Sequence, residues 1–256
     1  MVDNVSPTFA PAISLKDVSF SYGEVEIFSE IDLVVPRGEF LAVLGSSGVG
    51  KSTLLNIIRG FLTPSGLVEV EGRTRTVFQS DRLLQWYTSQ QNIELALFGH
   101  SQSDKHNDPI GSQERKMIAK NLLGKLGMEK LADRYPSDLS GGERQRVAVL
   151  RAFAANPNIV LMDEPFGNLD ILTKENLQLW LLEFWETKSC TVVFVTHDIE
   201  EELILGDRIL VIEDGHFSHS IKVELPRPRT QNLRLEHNFL DYRERFRKLF
   251  LDNGLT

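Results

Sequence analysis

The sequence predicts an α/β fold with a mostly parallel sheet flanked by helices, an antiparallel β subdomain and an inserted α-helical subdomain. Three observations predict this class. Short, almost wholly apolar segments such as Phe40–Leu44 are typical of strands covered on both faces in a parallel sheet. Residues 68–72 alternate apolar and acidic side chains, as a half-exposed antiparallel strand does. The middle of the chain carries helical rather than strand periodicity over about seventy residues.

The first half of the chain reads as strands joined by turns, with one helix. We expect strands at residues 13–20, 31–35, 40–44 and 68–72, and a helix at residues 51–61. Polar residues 100–112 predict a mobile loop. Helices are expected at residues 113–128, with Met117 on the apolar face, and from near Gly142 to Ala155. Strands then resume at residues 159–162, 192–196 and 208–212.

Composition places the chain among ordinary globular proteins. It has 256 residues, 41% of them hydrophobic and 25% charged, enough for a sizeable buried core. The net charge of −8 argues against a nucleic-acid partner, since a negative surface repels a phosphate backbone. The single cysteine, Cys190, is expected to be a small core side chain in a reducing compartment. We expect neither a secretory signal at residues 1–11 nor a membrane-spanning helix.

A phosphate-binding loop is predicted between the strand at residues 40–44 and the helix that follows. The pattern G-x-x-x-x-G-K-S is formed by Gly45, Ser46, Ser47, Gly48, Val49, Gly50, Lys51 and Ser52, with Thr53 next in the helix. Its glycines let main-chain N–H groups point at phosphate oxygens, and the helix N-terminus adds its positive dipole end. We expect Lys51 to reach the β- and γ-phosphates and Ser52 to hold Mg²⁺. The alternative, a glycine-rich connector, is disfavoured by the strand–loop–helix context, so the core is predicted to be that of a P-loop NTPase.

Two carboxylates end an apolar strand further along the chain. Asp163 and Glu164 follow residues 159–162, and charges at the edge of a core are costly unless they have a function. Asp163 is placed to steady the Mg²⁺ shell, and Glu164 to polarise the attacking water. The alternative is an acidic strand end that caps a turn. Beside the phosphate loop, the pair predicts binding and hydrolysis of a nucleoside triphosphate.

The family becomes visible in residues 139–146, Leu-Ser-Gly-Gly-Glu-Arg-Gln-Arg. This segment resembles the signature motif of ABC transporter ATP-binding subunits. A hydroxyl and glycine N–H groups at a helix start form a second anion site, although an N-capped helix with a glycine turn is the simpler alternative. The resemblance implies a head-to-tail homodimer or pseudo-dimer. In it, Ser140, Gly141 and Gly142 would close on ATP held by the partner's phosphate loop.

The remaining motifs of the family follow in the same order, and their roles are those that the resemblance implies. Tyr22 matches the aromatic residue that stacks on adenine, and Gln79 the glutamine that senses Mg²⁺ and water. Asp170 lies in the loop that crosses the dimer interface, and His197 matches the histidine that contacts the γ-phosphate. The implied cofactors are therefore ATP and Mg²⁺, with Ser52, Gln79 and Asp163 as metal ligands and with Glu164 and His197 catalytic. The other five histidines are expected in loops or near the tail, solvated.

The resemblance covers residues 13–225, which we take as the ATPase domain. Residues 1–12 are predicted to be a loose tail, about 83–155 the helical subdomain, and 226–256 a C-terminal basic amphipathic tail. The short interval between Gln79 and Ser140 fits the helical lobe of a transporter ATPase and leaves no room for long coiled coils. In the tail, Phe239, Tyr242 and Phe246 recur at helical spacing. They predict a helix packed on its own core, or one that contacts a regulator, an anionic lipid or a partner.

A more specific resemblance lies at residues 83–86, Leu-Leu-Gln-Trp. They are similar to the Leu-Leu-Pro-Trp segment of importer ATPases for nitrate, sulfonate and taurine, and residues 225–229 also look like that group. Two residues depart from its pattern, Gln85 in place of proline and Asn168 in place of a small residue. The resemblance implies a permease docked near residues 80–92 and an external solute-binding protein in the same complex. In the alternative, Leu83 and Leu84 belong to the core and Trp86 packs in the helical lobe, an arrangement compatible with docking.

The function predicted from these features is ATP hydrolysis that energises a membrane transporter, an importer of small solutes. The subunit is expected to be peripheral, at the cytoplasmic face of the plasma (inner) membrane. Two alternatives stay open from the sequence. One is the ATPase of an exporter, which uses the same motifs with another membrane partner. The other is a soluble switch protein that closes on ATP without a transporter.

Overall fold

A computed structural model describes residues 10–98, 110–167, 169–188 and 190–252 of the chain. Its strands are β1 Ile13–Tyr22, β2 Val25–Val35, β3 Phe40–Leu44, β4 Ser65–Val70, β5 Thr74–Val77, β6 Ile159–Asp163, β7 Thr191–Val195, β8 Arg208–Glu213 and β9 His216–Lys222. Its α-helices are α1 Lys51–Ile58, α2 Ser89–Ala96, α3 Ser112–Lys125, α4 Gly141–Ala154, α5 Ile171–Glu186, α6 Ile199–Leu205 and α7 His237–Asp252.

The predicted mostly parallel sheet is confirmed. It has six strands in the order β5-β6-β7-β3-β8-β9, of which only the edge strand β9 is antiparallel. Since the carboxyl ends of parallel strands meet at one edge of a sheet, the segments that follow β3, β5, β6 and β7 converge there. This edge therefore gathers the phosphate loop and the residues that follow Val77, Asp163 and Val195.

Two hydrophobic cores lie on opposite faces of this sheet, which explains why β3 is apolar throughout. Phe40 and Ala42 belong to the core shared with helices α3 to α7, whereas Leu41 and Val43 belong to the core shared with α1 and the smaller sheet. All five residues of β3 are buried. A strand with both faces covered has no position for a polar side chain.

The predicted antiparallel subdomain is a three-stranded sheet in the order β2-β1-β4. It packs beside α1, and Phe28 on β2 is fully buried in the core that they share. The insertion between β5 and β6 is helical, as predicted. Its helix α2 begins with a capping box, in which the Thr88 hydroxyl accepts from the Gln91 N–H and the Gln91 side chain accepts from the Thr88 N–H.

Several predicted boundaries and exposures were wrong. Helix α1 ends at Ile58 because Gly60 adopts a left-handed conformation, φ +77°, which terminates the helix. Phe61, which the predicted helix at residues 51–61 included, lies beyond its end and is 70% exposed. On α3, Met117 is 59% exposed and does not share the buried face. The half-exposed strand spans Ser65–Val70 and ends two residues earlier than expected.

Some residues lie in a different type of element from the one predicted, and some elements had no predicted bounds. Two histidines expected in loops, His216 and His219, lie on β9. The elements β5, α2, α5, α6 and β9 had not been delimited from the sequence. His100 and His106, most of the predicted mobile loop, and Asn168 lie outside the described residues. Within the described residues, no helix is long and apolar enough to cross a lipid bilayer.

The C-terminal helix α7 packs against α6. Phe239 and Phe246 are almost fully buried and belong to the same core as α5 and α6. The apolar face of α7 therefore packs on the chain's own core, which was one of the two possibilities predicted for this segment. Cys190 is also buried, as predicted.

Candidate nucleotide-binding and hydrolysis site

The phosphate loop joins β3 to α1 with its lysine folded inward. Lys51 is 7% exposed, and its Nζ donates to the carbonyl oxygens of Gly45 at 2.7 Å and Ser46 at 2.8 Å. Burial lowers the pKa of Lys51, and the negative charge of Glu164 partly opposes this effect. An ammonium ion held by two carbonyls alone can exchange these partners for phosphate oxygens, which carry full charge.

Two positions of the loop, Gly45 and Gly50, leave no room for a side chain. Gly50 has φ +111°, and a Cβ there would lie 2.8 Å from Ile27 and 2.9 Å from Phe28. A Cβ on Gly45 would lie 2.9 Å from the carbonyl oxygen of Ile212. Strands β2 and β8 therefore pack closely against one side of the loop. On the other side, Ser46, Ser47 and Gly48 are exposed. This arrangement suits a loop whose N–H groups wrap an anion.

Ser52 and Asp163, two of the predicted metal ligands, are brought together by the ends of β3 and β6. The Ser52 hydroxyl donates to Asp163 Oδ1 at 3.2 Å. Burial raises the pKa of Asp163, and the hydrogen bond from Ser52 partly offsets that effect. A hydroxyl beside a carboxylate is a donor set that suits Mg²⁺, which prefers oxygen ligands and usually retains several waters.

Glu164 lies between Gln79 and His197. Its Oε2 accepts from Gln79 Nε2 at 3.3 Å, and its Oε1 lies 3.5 Å from His197 Nδ1. The main chain of Glu164 is in the left-handed region, φ +45°, and its N–H donates to the Val195 carbonyl at 3.0 Å. A glutamate rarely adopts this conformation, and such strain concentrates at functional sites. Three residues predicted from separate motifs thus form one chain of polar contacts.

A polar network beneath His197 was not predicted. Lys174 on α5 contacts Asp198 and Glu201, each at 2.6 Å, and the Thr196 hydroxyl donates to Glu201 at 2.6 Å. Burial works against the charge of Asp198, but the bond from Lys174 holds the pKa of Asp198 below its usual value. The network fixes the residues on both sides of His197, whose own side chain is 69% exposed.

The signature segment forms the start of α4. Ser140 caps the helix, since its hydroxyl accepts from the Glu143 N–H at 3.3 Å and Glu143 accepts from the Ser140 N–H at 2.8 Å. Among the described residues, no hydrogen bond or ion pair joins Ser140, Gly141 or Gly142 to residues 45–53. The N-capped helix, the simpler alternative for this segment, is therefore present, and it leaves the exposed Gly141 available to another molecule.

Other predicted site residues are exposed. Tyr22 ends β1 with its side chain 50% exposed, and its ring packs edge-on against Phe20. Asp170 caps α5 by accepting from the Thr173 N–H at 3.1 Å, and Thr173 lowers the pKa of its carboxyl. In the part of the chain that the structure describes, no hydrogen bond or ion pair joins either side chain to the phosphate loop, and both residues are exposed, as residues that meet a nucleotide or a second subunit would be.

The segment after Gln79 is tied to the signature helix by two arginines that sequence reasoning had missed. Arg144 Nε donates to the Asp81 carboxylate at 3.0 Å and its Nη1 to the Leu139 carbonyl at 2.7 Å. Arg151, two turns further along α4, donates to the carbonyls of Asp81 at 3.0 Å and Arg82 at 2.8 Å. Arg144 and Arg151 share one helix face because they are seven residues apart, a spacing that could have indicated a common partner.

Residues 83–86 divide between core and surface. Leu83 is 5% exposed and joins the core, whereas Trp86 is 70% exposed. The alternative in which Trp86 packs in the helical lobe is therefore wrong, because its indole lies in solvent beside Tyr87. An exposed tryptophan is uncommon and typical of a contact surface. A cavity of about 190 Å³ lies between residues 79–81 and the start of α4, and Leu169 also lines it.

Comparison with known proteins agrees with this geometry. Residues 28–167 match the family model described as ABC transporter. The chain is 42% identical over 221 residues to the aliphatic sulfonates import ATP-binding protein SsuB 1 of Agrobacterium fabrum, covering 85% of this chain and 77% of that protein. It is 37% identical to the bicarbonate transport ATP-binding protein CmpD of Synechocystis sp., covering 88% and 83% respectively.

A solved structure is also similar. The ATP-binding cassette MJ0796, described as dimeric in a post-hydrolysis state with bound ADP and Pi, superposes with a TM-score of 0.72. The two chains are 32% identical, and the match covers 84% of this chain and all of the other. Another solved chain, cbiO1 of Clostridium perfringens, has a TM-score of 0.74 at 23% identity and covers 95% and 96%, which supports the fold alone.

Proposed function

The chain belongs to the ABC transporter family and is an ATPase, and on this premise we propose that it energises an importer of small solutes of the nitrate, sulfonate and taurine type. Relatives named for aliphatic sulfonate import and for bicarbonate transport support this class of solute. In the proposal the subunit is peripheral, at the cytoplasmic face of the plasma (inner) membrane. The solute is recognised by the permease and an external solute-binding protein.

The observation that carries the catalytic part of the proposal is the contact chain from Gln79 through Glu164 to His197, beside the phosphate loop. We propose that Lys51 exchanges its two carbonyl partners for the β- and γ-phosphates of ATP. Glu164 then accepts the proton of the attacking water, and His197 contacts the γ-phosphate. Mg²⁺ bound with the nucleotide would neutralise phosphate charge, with Ser52, Asp163 and Gln79 as its candidate ligands.

A second copy supplies the other half of the site in this proposal. Each signature segment, Ser140 to Gly142, would close on ATP held by the partner's phosphate loop, with Tyr22 against adenine and Asp170 at the seam. The lack of a hydrogen bond or ion pair between the signature segment and the phosphate loop within the described part of the chain supports this arrangement, as does the dimeric state in which MJ0796 is described. ATP would therefore lie in the interface and bind to both subunits.

The membrane partner is proposed to dock near residues 80–92. The exposed indole of Trp86 supports this site, and the bonds from Arg144 and Arg151 to residues 81 and 82 connect it to α4. A movement of the docking segment would then move the signature segment at the start of α4. ATP closure and the conformational cycle of the permease are coupled through this connection.

The experiment that tests the catalytic proposal is the substitution Glu164→Gln. The variant keeps the size of the side chain and one oxygen that can accept from Gln79, but it cannot act as a base, so it should bind ATP and lose turnover by about a hundredfold or more. It should also form an ATP-dependent dimer on size-exclusion chromatography. Glu183→Gln, an exposed position on α5, is the matched control and should hydrolyse ATP normally. Near-normal ATPase activity of Glu164→Gln would refute the role of Glu164.

A further inference from the structure

Helix α6 follows His197 directly and is only seven residues long. A helix of this length has little stability of its own, so its position depends on the groups that hold its ends. Asp198 caps its start by accepting from the Glu200 N–H at 2.9 Å. Any displacement of α6 along its axis would therefore move Asp198 and, with it, His197.

The C-terminal end of α6 is held by a buried arginine of the tail. Arg229 is 4% exposed, and its Nη1 donates to three carbonyl oxygens at the end of α6: Leu203 at 3.0 Å, Ile204 at 3.1 Å and Gly206 at 2.7 Å. The last carbonyls of a helix have no partner within it, and a cation stabilises this end of its dipole. Burial lowers the pKa of Arg229 to about 10, so the guanidinium stays charged at neutral pH.

Arg227 reinforces the same end. Its guanidinium donates to the Leu205 carbonyl at 2.8 Å and to the Asp207 carboxylate at 2.7 Å. The other oxygen of Asp207 accepts from the Phe40 N–H at 2.9 Å. The end of α6 is thus joined through Asp207 to β3, the strand that leads into the phosphate loop.

The N-terminal end of α6 is held by two further arginines of the tail. Glu200, in the first turn, accepts from Arg243 at 3.0 Å and lies 3.6 Å from Arg234. Arg234 also donates to Gln178 on α5 at 2.8 Å and lies 3.4 Å from Glu175. These contacts join α5, the start of α6 and the tail in one group.

The tail that carries these arginines is itself anchored by packing. Phe239 and Phe246 on α7 are almost fully buried in the core shared with α6. Of the seven basic residues of the tail, four hold α6 or its neighbours, and three others, Arg245, Arg247 and Lys248, remain exposed. Three of the four, Arg227, Arg229 and Arg234, are largely buried, and Arg243 is exposed but paired with Glu200. These four cations therefore have partners within the chain, and no lipid surface is needed to explain their clustering.

We propose that the C-terminal tail, residues 226–256, sets the position of α6 and thereby the position of His197 relative to Glu164. We call this group of arginine contacts the clamp. In it, Arg229 acts as the main positioning residue and Arg234 and Arg243 as secondary ones. The inference rests on the proposed contact of His197 with the γ-phosphate. Within the described residues, no hydrogen bond or ion pair joins Arg229, Arg234 or Arg243 to the phosphate loop or to Tyr22. The clamp should therefore influence turnover and leave ATP binding nearly unchanged.

The test uses the full-length chain with Arg229→Met, which removes the guanidinium but keeps the apolar stem. Its kcat should fall about tenfold while KM for ATP stays within about twofold, because displacement of a catalytic group by even 1 Å is costly. The matched control is Arg247→Met on the exposed side of α7, which should leave both constants unchanged. An unchanged kcat in folded Arg229→Met would overturn the proposal, and so would a proportional loss of kcat and ATP affinity.

A second variant decides the matter if Arg229→Met does not fold. Arg234→Gln combined with Arg243→Gln removes both cationic partners of Glu200 at the surface, and its kcat should fall about threefold with KM unchanged. An unaltered kcat in this double variant would overturn the clamp. His197→Ala separates the two hypotheses. If it keeps normal turnover, the proposed role of His197 fails; if it loses turnover while every clamp variant is normal, only the clamp fails.

Discussion

A buried carboxyl on α6, that of Glu202, leads to a sharp prediction about stability. Glu202 is fully buried, and neither of its carboxyl oxygens has a hydrogen-bond partner among the described residues. Desolvation raises the pKa of this carboxyl well above the usual 4.5, and the carboxylates of Glu201 and Asp198 raise it further. The folded protein therefore retains a proton that the unfolded chain releases.

The sign of the effect follows from this difference. Below about pH 4.5 both states are protonated and Glu202 has no pH-dependent cost. As the pH rises, only the unfolded state ionises, and each unit lowers the free energy of unfolding by about 1.4 kcal/mol. The loss continues as the pH rises until the folded carboxyl, whose pKa is raised by burial, also ionises. This contribution is present at low pH and disappears as the pH rises.

Glu202→Gln keeps the shape of the side chain and removes the ionisation. Its unfolding free energy should match that of the original chain near pH 4.5 and exceed it increasingly as the pH rises, by at most about 1.4 kcal/mol per pH unit. Urea denaturation of both proteins at intervals between pH 5 and 7.5 measures the difference, with the exposed Glu183→Gln as control. A difference that does not change with pH would refute the reasoning, because it would mean that the carboxyl of Glu202 ionises normally in the folded state.

Three other predictions follow from the contacts of single residues. Trp86→Ala should change the melting temperature by no more than about 2 °C, since the indole is 70% exposed, yet abolish capture of a permease; retained capture would exclude this docking site. Arg151→Met should lower the free energy of unfolding by about 2 kcal/mol because it removes two hydrogen bonds that a cation donates to main-chain carbonyls. Lys120→Met, at an exposed position, should leave the free energy of unfolding unchanged, and equal stability of the two variants would contradict the prediction. Burial raises the pKa of Cys190 to about 11, so maleimide at pH 7.5 should label this sole cysteine only in denaturant; rapid labelling of the folded protein would show that the thiol is accessible.

The core of the site could be predicted from the sequence because strand ends are strong local signals. Lys51, Asp163 and His197 each follow a short apolar strand, and the ends of parallel strands meet at one edge of a sheet. Their convergence in the structure therefore needs only the strand assignments to be right. The glycine pattern of the phosphate loop is equally local, since it depends on consecutive residues.

The residues that support the site could not be predicted in the same way. Glu200, Glu201 and Glu202 look like a solvated acidic run, yet Glu201 and Glu202 are buried beneath His197. Arg229 and Lys174 resemble surface cations, and their partners lie more than twenty residues away in the chain. Such assignments require tertiary contacts, which periodicity does not reveal. The strand β5, Thr-Arg-Thr-Val, was missed because its polar residues give no strand pattern even though it pairs with β6.

The most direct test of the whole account is capture of the membrane partner by the closed state. Tagged Glu164→Gln protein, with ATP, would be recovered from detergent-solubilised membranes of its own cell, and the proteins that accompany it would be identified by mass spectrometry. The same bait with Trp86→Ala added is the control. We predict a multi-spanning permease, captured only by the bait that retains Trp86, together with a solute-binding protein. Recovery of soluble partners alone, from a bait absent from membranes, would contradict the account and favour a soluble ATP-dependent switch.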